Sequence, residues 1–168
     1  MLIREETPED IAVIRAIHVA AFANHPYSQQ TEHLIVEALR EDGALKISLV
    51  AEKDGVAIGH IAFSPMLIGG QECGWHPLGP IGVLPGEQRE GIGSALVSAG
   101  LAELRSRTAC GCALVGDPAF YGRFGFTSDA RLTYEGVPQE HVLQLALNGE
   151  TPSGEITHHA AFGVEARE

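Results

Sequence analysis

The sequence predicts an α+β protein built around a mixed sheet, and three observations carry that expectation. Two segments, residues 11–22 and 91–107, repeat apolar residues at helical spacing: Ile11, Ile14, Ile17 and Ala21 in the first, Ile92, Leu96, Val97, Leu101 and Leu104 in the second. Around them lie runs of strand formers punctuated by Gly and Pro. Two of those runs are joined by Lys53-Asp54-Gly55, a tight hairpin signal.

In chain order, Leu2-Ile3-Arg4 reads as a first strand. Thr7-Pro8-Glu9-Asp10 then starts a helix: Thr can cap, Pro suits the first helical position, and acids favour the positive helix end. Asn24-His25-Pro26-Tyr27 breaks it, and a second helix follows with Leu34, Ile35 and Leu39 on one side and Gly43 at its end. Residues 45–52 and 56–66 are the hairpin strands, and Gly69-Gly70 makes the next turn. Residues 75–84 are extended but rich in Gly and Pro, as in a strand with a bulge. After the 91–107 helix, residues 109–115 form a short buried strand. Asp117-Pro118 then caps a brief helix carrying Ala119, Phe120 and Tyr121, which Gly122 and Gly125 end. Residues 142–147 and 156–162 are the expected late strands.

A chain of 168 residues that is 45% apolar and 20% charged suits one domain over residues 1–168, with a core closed without staples. No apolar run of about 18 residues appears, and Met1-Leu2-Ile3-Arg4-Glu5-Glu6 lacks a signal-peptide pattern, so a cytoplasmic protein without membrane association is expected. The 3 cysteines fit a reducing compartment. Cys73, Cys110 and Cys112 with His76, His158 and His159 match no tetrahedral spacing, so buried structural thiols and no metal are expected. The formal charge of −11, with no basic run, disfavours nucleic acid. It is compatible with a cationic amine partner and equally with plain solubility.

The chemistry concentrates at one junction. A strand ending at Val83 runs through Leu84-Pro85-Gly86-Glu87 into Gln88-Arg89-Glu90-Gly91-Ile92-Gly93 and the long helix. Amides at a helix start point outward and the dipole adds positive potential. Gly91 and Gly93 remove side chains that would hold a phosphate off the backbone, and Arg89 can add a charged contact. Alone, G-x-G before a helix is generic and equally serves close packing. There is no Gly-Lys-Ser/Thr, and Leu96 stands where a dinucleotide fingerprint needs its third glycine.

Joined to Pro80-Ile81-Gly82-Val83 before it, and to Gly116-Asp117-Pro118-Ala119-Phe120-Tyr121-Gly122-Arg123-Phe124-Gly125-Phe126 after it, this junction resembles the GNAT superfamily of acetyl-CoA-dependent N-acetyltransferases. The last run looks like a branch of small bacterial members of undefined substrate. The resemblance is strong over residues 78–126 and extends, in element order, over most of the chain.

It implies a largely antiparallel mixed central sheet with splayed central strands, flanked by helices. It implies that Gln88, Arg89, Glu90, Gly91, Ile92, Gly93 and Ser94 bind the coenzyme A pyrophosphate, mostly through backbone, and that Ile81, Gly82 and Val83 pair with the pantetheine arm. Tyr121 falls where the family places a general acid for the departing thiolate; as residue chemistry it equally suits an aromatic core. The family's usual base positions fall near Pro77 and Gly79, which cannot serve. His76 and Glu32 are the remaining candidate bases. His18, His25, His33 and His60 show no convergent partners and read as surface or satisfied core residues.

The expected function is direct acetyl transfer from acetyl-CoA to an amine-bearing small molecule or peptide, without metal and without a covalent acetyl-enzyme. A non-catalytic acyl-CoA-binding sensor and a larger acyl donor such as succinyl remain the alternatives. A homodimer is common in the family, though no residue pattern here demands one.

Overall fold

The computed structural model describes residues 1–164. Its elements, in chain order, are β1 (Leu2–Glu5), α1 (Ile11–Phe22), α2 (Glu32–Glu41), β2 (Ile47–Lys53), β3 (Val56–Phe63), β4 (Met66–Ile68), β5 (Trp75–Val83), α3 (Ile92–Ser106), β6 (Gly111–Val115), α4 (Pro118–Tyr121), β7 (Thr127–Ser128), β8 (Leu132–Thr133), β9 (Val142–Ala146) and β10 (Gly154–His158). They divide into two compact units, with β5 and α3 each running from one into the other.

The first unit holds Met1–Phe63, Gly79–Leu101 and, among the described residues, 160–164. Its strands lie in the order β1-β2-β3-β5, with β1 antiparallel to β2 and β2 antiparallel to β3. The β2–β3 hairpin turns on Asp54 (φ 53°) and Gly55 (φ 79°), the two left-handed residues that an Asp-Gly tight turn supplies. The Thr7-Pro8 helix start is realised as a 3-10 turn over Pro8–Asp10, with α1 proper beginning at Ile11. Asp10 locks that turn: its carboxylate accepts the Thr7 N–H at 2.7 Å and the Arg4 guanidinium at 2.7 and 3.0 Å. The Arg4 ion pair holds the Asp10 carboxyl well below its ordinary range.

Ile14 and Ile17 of α1, Val36 of α2 and Val50, Ala57 and Ala62 of the sheet form one core. The second helix ends in a left-handed Gly43 (φ 67°), after which Ala44 N–H bonds the Leu39 carbonyl at 2.8 Å. A smaller cluster of Ile35, Leu39 and Ala44 is closed by Ala161.

The second unit holds Ser64–Leu78 and Ala102–His159. Here β5 pairs in parallel with β6, Trp75–Pro77 against Gly111–Ala113, while β6 is antiparallel to β9 and β9 to β7. A separate three-stranded sheet has the order β4-β10-β8. Met66, Ile68, Trp75, Ala113, Leu132, Val142 and Ile156 form its core.

Two expectations are corrected. Residues 56–66 are not one strand: β3 stops at Phe63, Pro65 has no N–H for a ladder, and Met66–Ile68 joins β10 instead. The last strand does not reach residue 162. It ends at His158, and Ala160–Gly163 winds into a 3-10 turn that places Ala161 against α2. The short β7 and β8 had no alternation long enough to be read from sequence. Among the described residues no helix is long and apolar enough to cross a membrane.

Candidate active site

The predicted phosphate loop has the backbone of an anion cradle. After a 3-10 turn at Pro85–Glu87, Gln88 is extended, Arg89 is left-handed (φ 66°), Gly91 is left-handed (φ 81°), and α3 starts at Ile92. The two left-handed residues turn the chain sharply just before the helix, and the helix start supplies outward amides. The helix opens on the Ala95 N–H to Gly91 carbonyl bond at 3.0 Å. Residues 88–91 are exposed, whereas Ile92 is buried and anchors the helix start to the core.

The side chains of the loop brace it. Gln88 Nε2 donates to the Val83 carbonyl at 3.0 Å, tying the loop back to the end of β5. Lys53 in the hairpin bonds Glu87 at 3.1 Å and Glu90 at 3.4 Å. The exposed Arg89 side chain is the loop's nearest cation to an incoming phosphate. Upstream, Gly82 and Val83 are buried and Ile81 is half-buried. A Cβ at Gly82 would stand 3.0 Å from His18 Nδ1 and 3.3 Å from the Ala21 side chain, so α1 closes over this strand.

Within the second unit, Asp117 caps α4 by accepting the Ala119 N–H at 2.9 Å, which fixes the turn that carries Tyr121. The Tyr121 ring packs edge-on to Phe120 with centroids at 4.8 Å and lies 6.0 Å from Phe126. Burial, with Cys112 close by, pushes its phenol up to about 12, so it stays protonated across physiological pH. His76 is the register partner of Cys112, and partners in adjacent strands share a face. The structure therefore brings His76, Cys112 and Tyr121 to one region of this unit.

His76 Nδ1 donates to the Ser64 carbonyl at 3.0 Å, which fixes the neutral tautomer with its lone pair on Nε2. Glu32, at the start of α2, accepts the Ser28 hydroxyl on both carboxylate oxygens, at 2.7 and 2.9 Å. Cys73, Cys110 and Cys112 are all free thiols, and burial raises the Cys112 thiol far above its usual range. Among the described residues no group of three His, Cys, Asp or Glu comes together to hold a metal ion.

His18 and His60 are core residues, one of the two expected readings, but they do converge: only the expected lack of partners is overturned. Both are fully buried, and His18 Nε2 lies 2.8 Å from His60 Nδ1. Two sequence signals pointed to them. His18 sits on the apolar face of α1 beside Ile14, Ile17 and Ala21, and His60 sits in a run of strand formers buried from Ala57 to Phe63. Neither position alone distinguishes a paired histidine from an isolated one.

The geometry so far describes an α+β protein with a tight strand-to-helix loop in the first unit and, in the second, a protonated tyrosine on a capped turn. Over residues 11–126 the sequence matches the acetyltransferase (GNAT) family. It is 36% identical over 171 residues to the uncharacterized N-acetyltransferase YhbS of Escherichia coli K12, an alignment covering 96% of this chain and 98% of YhbS. A GNAT family acetyltransferase from Brucella melitensis, solved in complex with acetyl-CoA, superimposes with a TM-score of 0.87 at 49% identity, covering 96% of this chain and 97% of that one. The Escherichia coli YhbS structure in complex with CoA superimposes at 0.86, with 33% identity over 97% of this chain and 92% of that one. The chain belongs to the GNAT family of acetyltransferases and is an N-acetyltransferase.

Proposed function

We propose that the protein transfers the acetyl group of acetyl-CoA directly to an amine, with the 88–94 loop holding the donor's pyrophosphate. The observation that carries this is the loop's backbone: left-handed Arg89 and Gly91 immediately before the start of a long helix. The acetyl-CoA bound by the Brucella melitensis relative and the CoA bound by YhbS support the donor. The amides of Arg89, Glu90, Gly91, Ile92 and Gly93, with Ser94 and the Arg89 side chain, bind the pyrophosphate; Gln88 holds the loop to Val83. Main-chain groups of Ile81, Gly82 and Val83 pair with the pantetheine arm and leave the thioester beside β5.

Transfer is one addition–elimination. The amine nitrogen bonds to the thioester carbonyl carbon, the C–S bond breaks, and Tyr121 protonates the sulfur. A phenol at about 12 is a weak acid in water, but the burial that raises it also raises the basicity of the leaving thiolate, which narrows the mismatch. The amine proton needs an acceptor. His76 has a free lone pair by its tautomer, and Glu32 is the alternative carboxylate. Three free thiols suit a reducing cytoplasm.

The test is coenzyme A thiol release from acetyl-CoA with spermidine, tyramine and triglycine as acceptors, alongside mass spectrometry of amine and protein. Amine-dependent release with acetylated amine and unmodified protein is expected. A stoichiometric burst of thiol without amine, with an acetylated protein, would overturn direct transfer.

A further inference from the structure

The first unit contains a buried chain of hydrogen bonds that begins beside Gly82 and ends at a carboxylate. His18 Nε2 meets His60 Nδ1 at 2.8 Å, His60 Nε2 meets Ser48 Oγ at 2.7 Å, and the Ser48 hydroxyl donates to Glu6 Oε1. Arg40 grips the same carboxylate, Nε and Nη2 each at 3.0 Å. His18, His60 and Ser48 come from α1, β3 and β2, so the chain crosses the unit's core rather than following one element.

The tautomers follow from the far end. Ser48 spends its only proton on Glu6, so it must accept from His60 Nε2–H. His60 Nδ1 is then a lone pair and accepts from His18 Nε2–H. That leaves a lone pair on His18 Nδ1, which is buried and makes no hydrogen bond within the protein. A buried acceptor without a partner is costly, and such atoms in native structures call for a reason. This one faces the position where Gly82 lacks a side chain.

We propose that His18 Nδ1 takes the proton from the attacking amine, and that His60, Ser48 and Glu6 relay the charge to the edge of the unit. The inference rests on the reading that β5 lines the acyl-donor arm. As the C–N bond forms, the amine proton passes to His18 Nδ1 and the Nε2 proton of His18 passes to His60 Nδ1. The Nε2 proton of His60 passes to Ser48 Oγ, and the Ser48 proton passes to the Glu6 carboxylate. Each imidazole gains one proton and loses one, so neither rests as a buried cation. Coenzyme A leaves as the thiol; on product release the hops reverse, His18 Nδ1 gives up the amine's proton, and that proton reaches the Tyr121 phenolate through water, which restores the starting state.

Two features favour His18 over the other candidate bases. His76 has only a backbone carbonyl behind it, and Glu32 shares one Ser28 hydroxyl whose other partner is the Gln30 N–H, so neither leads on to a second carboxylate. His18 is also the inner end of a run of ring contacts. Phe22 stacks on it at 6.1 Å, His25 lies 5.7 Å from Phe22, and Tyr27 lies 6.2 Å from His25. Tyr27 is 91% exposed, so this run of packed rings joins the surface to the buried imidazole.

The experiment has a spectroscopic and a kinetic arm. Nitrogen-15 NMR of ring-labelled histidine should show both His18 and His60 as neutral Nε2–H tautomers, and saturating acetyl-CoA should move the His18 Nδ1 resonance. An Nδ1–H tautomer at His18, or no movement while the Gly91 amide reports bound acetyl-CoA, would overturn the relay. If Gly91 reports no binding, the donor reading itself has failed.

With the best amine of the panel, Ser48→Ala should lower kcat at least about tenfold, leave KM for acetyl-CoA within about twofold, and reduce a curved solvent proton inventory toward a straight line. Ser48→Thr, which keeps the hydroxyl, should restore kcat and curvature. Unchanged kcat in folded Ser48→Ala, or loss in Ser48→Thr equal to that in Ser48→Ala, would reject the relay. Absence of amine-dependent release in the unmodified protein would reject these three amines as acceptors and leave the tautomers to decide the relay.

Discussion

His18 Nε2 and His60 Nδ1 stand 2.8 Å apart, joining α1 to β3 through two buried imidazoles. Burial drives His18 down to about 4, with His33 adding repulsion, and drives His60 well below its ordinary value. Besides His18, the Arg40 charge lowers His60 further and the Asp10 charge opposes it, while the uncharged Ser48 hydroxyl faces its other nitrogen. Unfolding exposes both imidazoles and returns them to about 6.5. Between those values the unfolded chain binds more protons than the folded one, so stability rises with pH across the window. It is complete above about 6.5 and is lost as pH falls toward 4. His18 alone should remove on the order of 2 kcal/mol by about pH 5. Urea unfolding at several pH values between 7.5 and 5 measures this, and a midpoint independent of pH over that range would refute it.

The same pair shows where sequence reading stopped. The strand-to-helix turn was legible because its cause is local: Gly91 and Gly93 sit at the junction, and the turn follows from those few residues. The Asp54-Gly55 hairpin and the Asp117 cap were legible for the same reason. The His18–His60 bond joins residues 42 apart, and its existence depends on how α1 lies across β3. Nothing in spacing along one chain encodes that. The strand beyond Phe63 misled because Ile61, Phe63 and Met66 look continuous, while the path is set by Pro65 and by β10 far downstream as the partner of β4. The two late strands were placed well where alternation is long, over β9, and poorly where β10 gives way to Ala160–Gly163.

Gly100 in α3 stands against the Phe63 ring, and a Cβ there would approach Cε1 to 2.4 Å and Cζ to 2.5 Å. Phe63 is fully buried and has no free space to swing into, so the helix must shift outward. Alanine's better helix propensity recovers about 1 kcal/mol, but overpacking of this kind costs about 1–3 kcal/mol and forces off-rotamer side chains. Gly100→Ala should therefore lower the melting temperature by a few degrees. An increase would show that α3 rides on β3 with slack.

Gly91 tests the loop through its backbone alone. Nothing lies within 4 Å of the Cβ it lacks, so a methyl group meets no obstacle, but its φ of 81° is a conformation that L side chains rarely adopt. Gly91→Ala should strain the turn by about 1–2 kcal/mol or tip it out of shape, turning neighbouring amides away from the pyrophosphate. Acetyl-CoA binding measured by calorimetry should weaken about five- to tenfold. Arg89→Ala removes one exposed charge and leaves the amides in place, so it should weaken binding by less than about threefold. If Arg89→Ala proves the worse of the two, the side chain and not the backbone holds the phosphate.

Tyr121 separates chemistry from packing. Its ring contacts with Phe120 and Phe126 survive in phenylalanine, and only the hydroxyl is lost. Because burial keeps the phenol near 12, no ionised form contributes near neutrality, and the hydroxyl acts as the protonated group. Tyr121→Phe should therefore fold normally and bind acetyl-CoA normally. Its kcat should drop about 10- to 100-fold, the lower part of the range for a lost general acid because water can partly substitute. The loss should shrink with acyl donors whose thiol leaving group is more acidic, since a good leaving group departs without help. Steady-state kinetics with a matched series of acetyl thioesters measures that trend. An equal loss across the series would mean that the hydroxyl positions the substrate instead of protonating the sulfur.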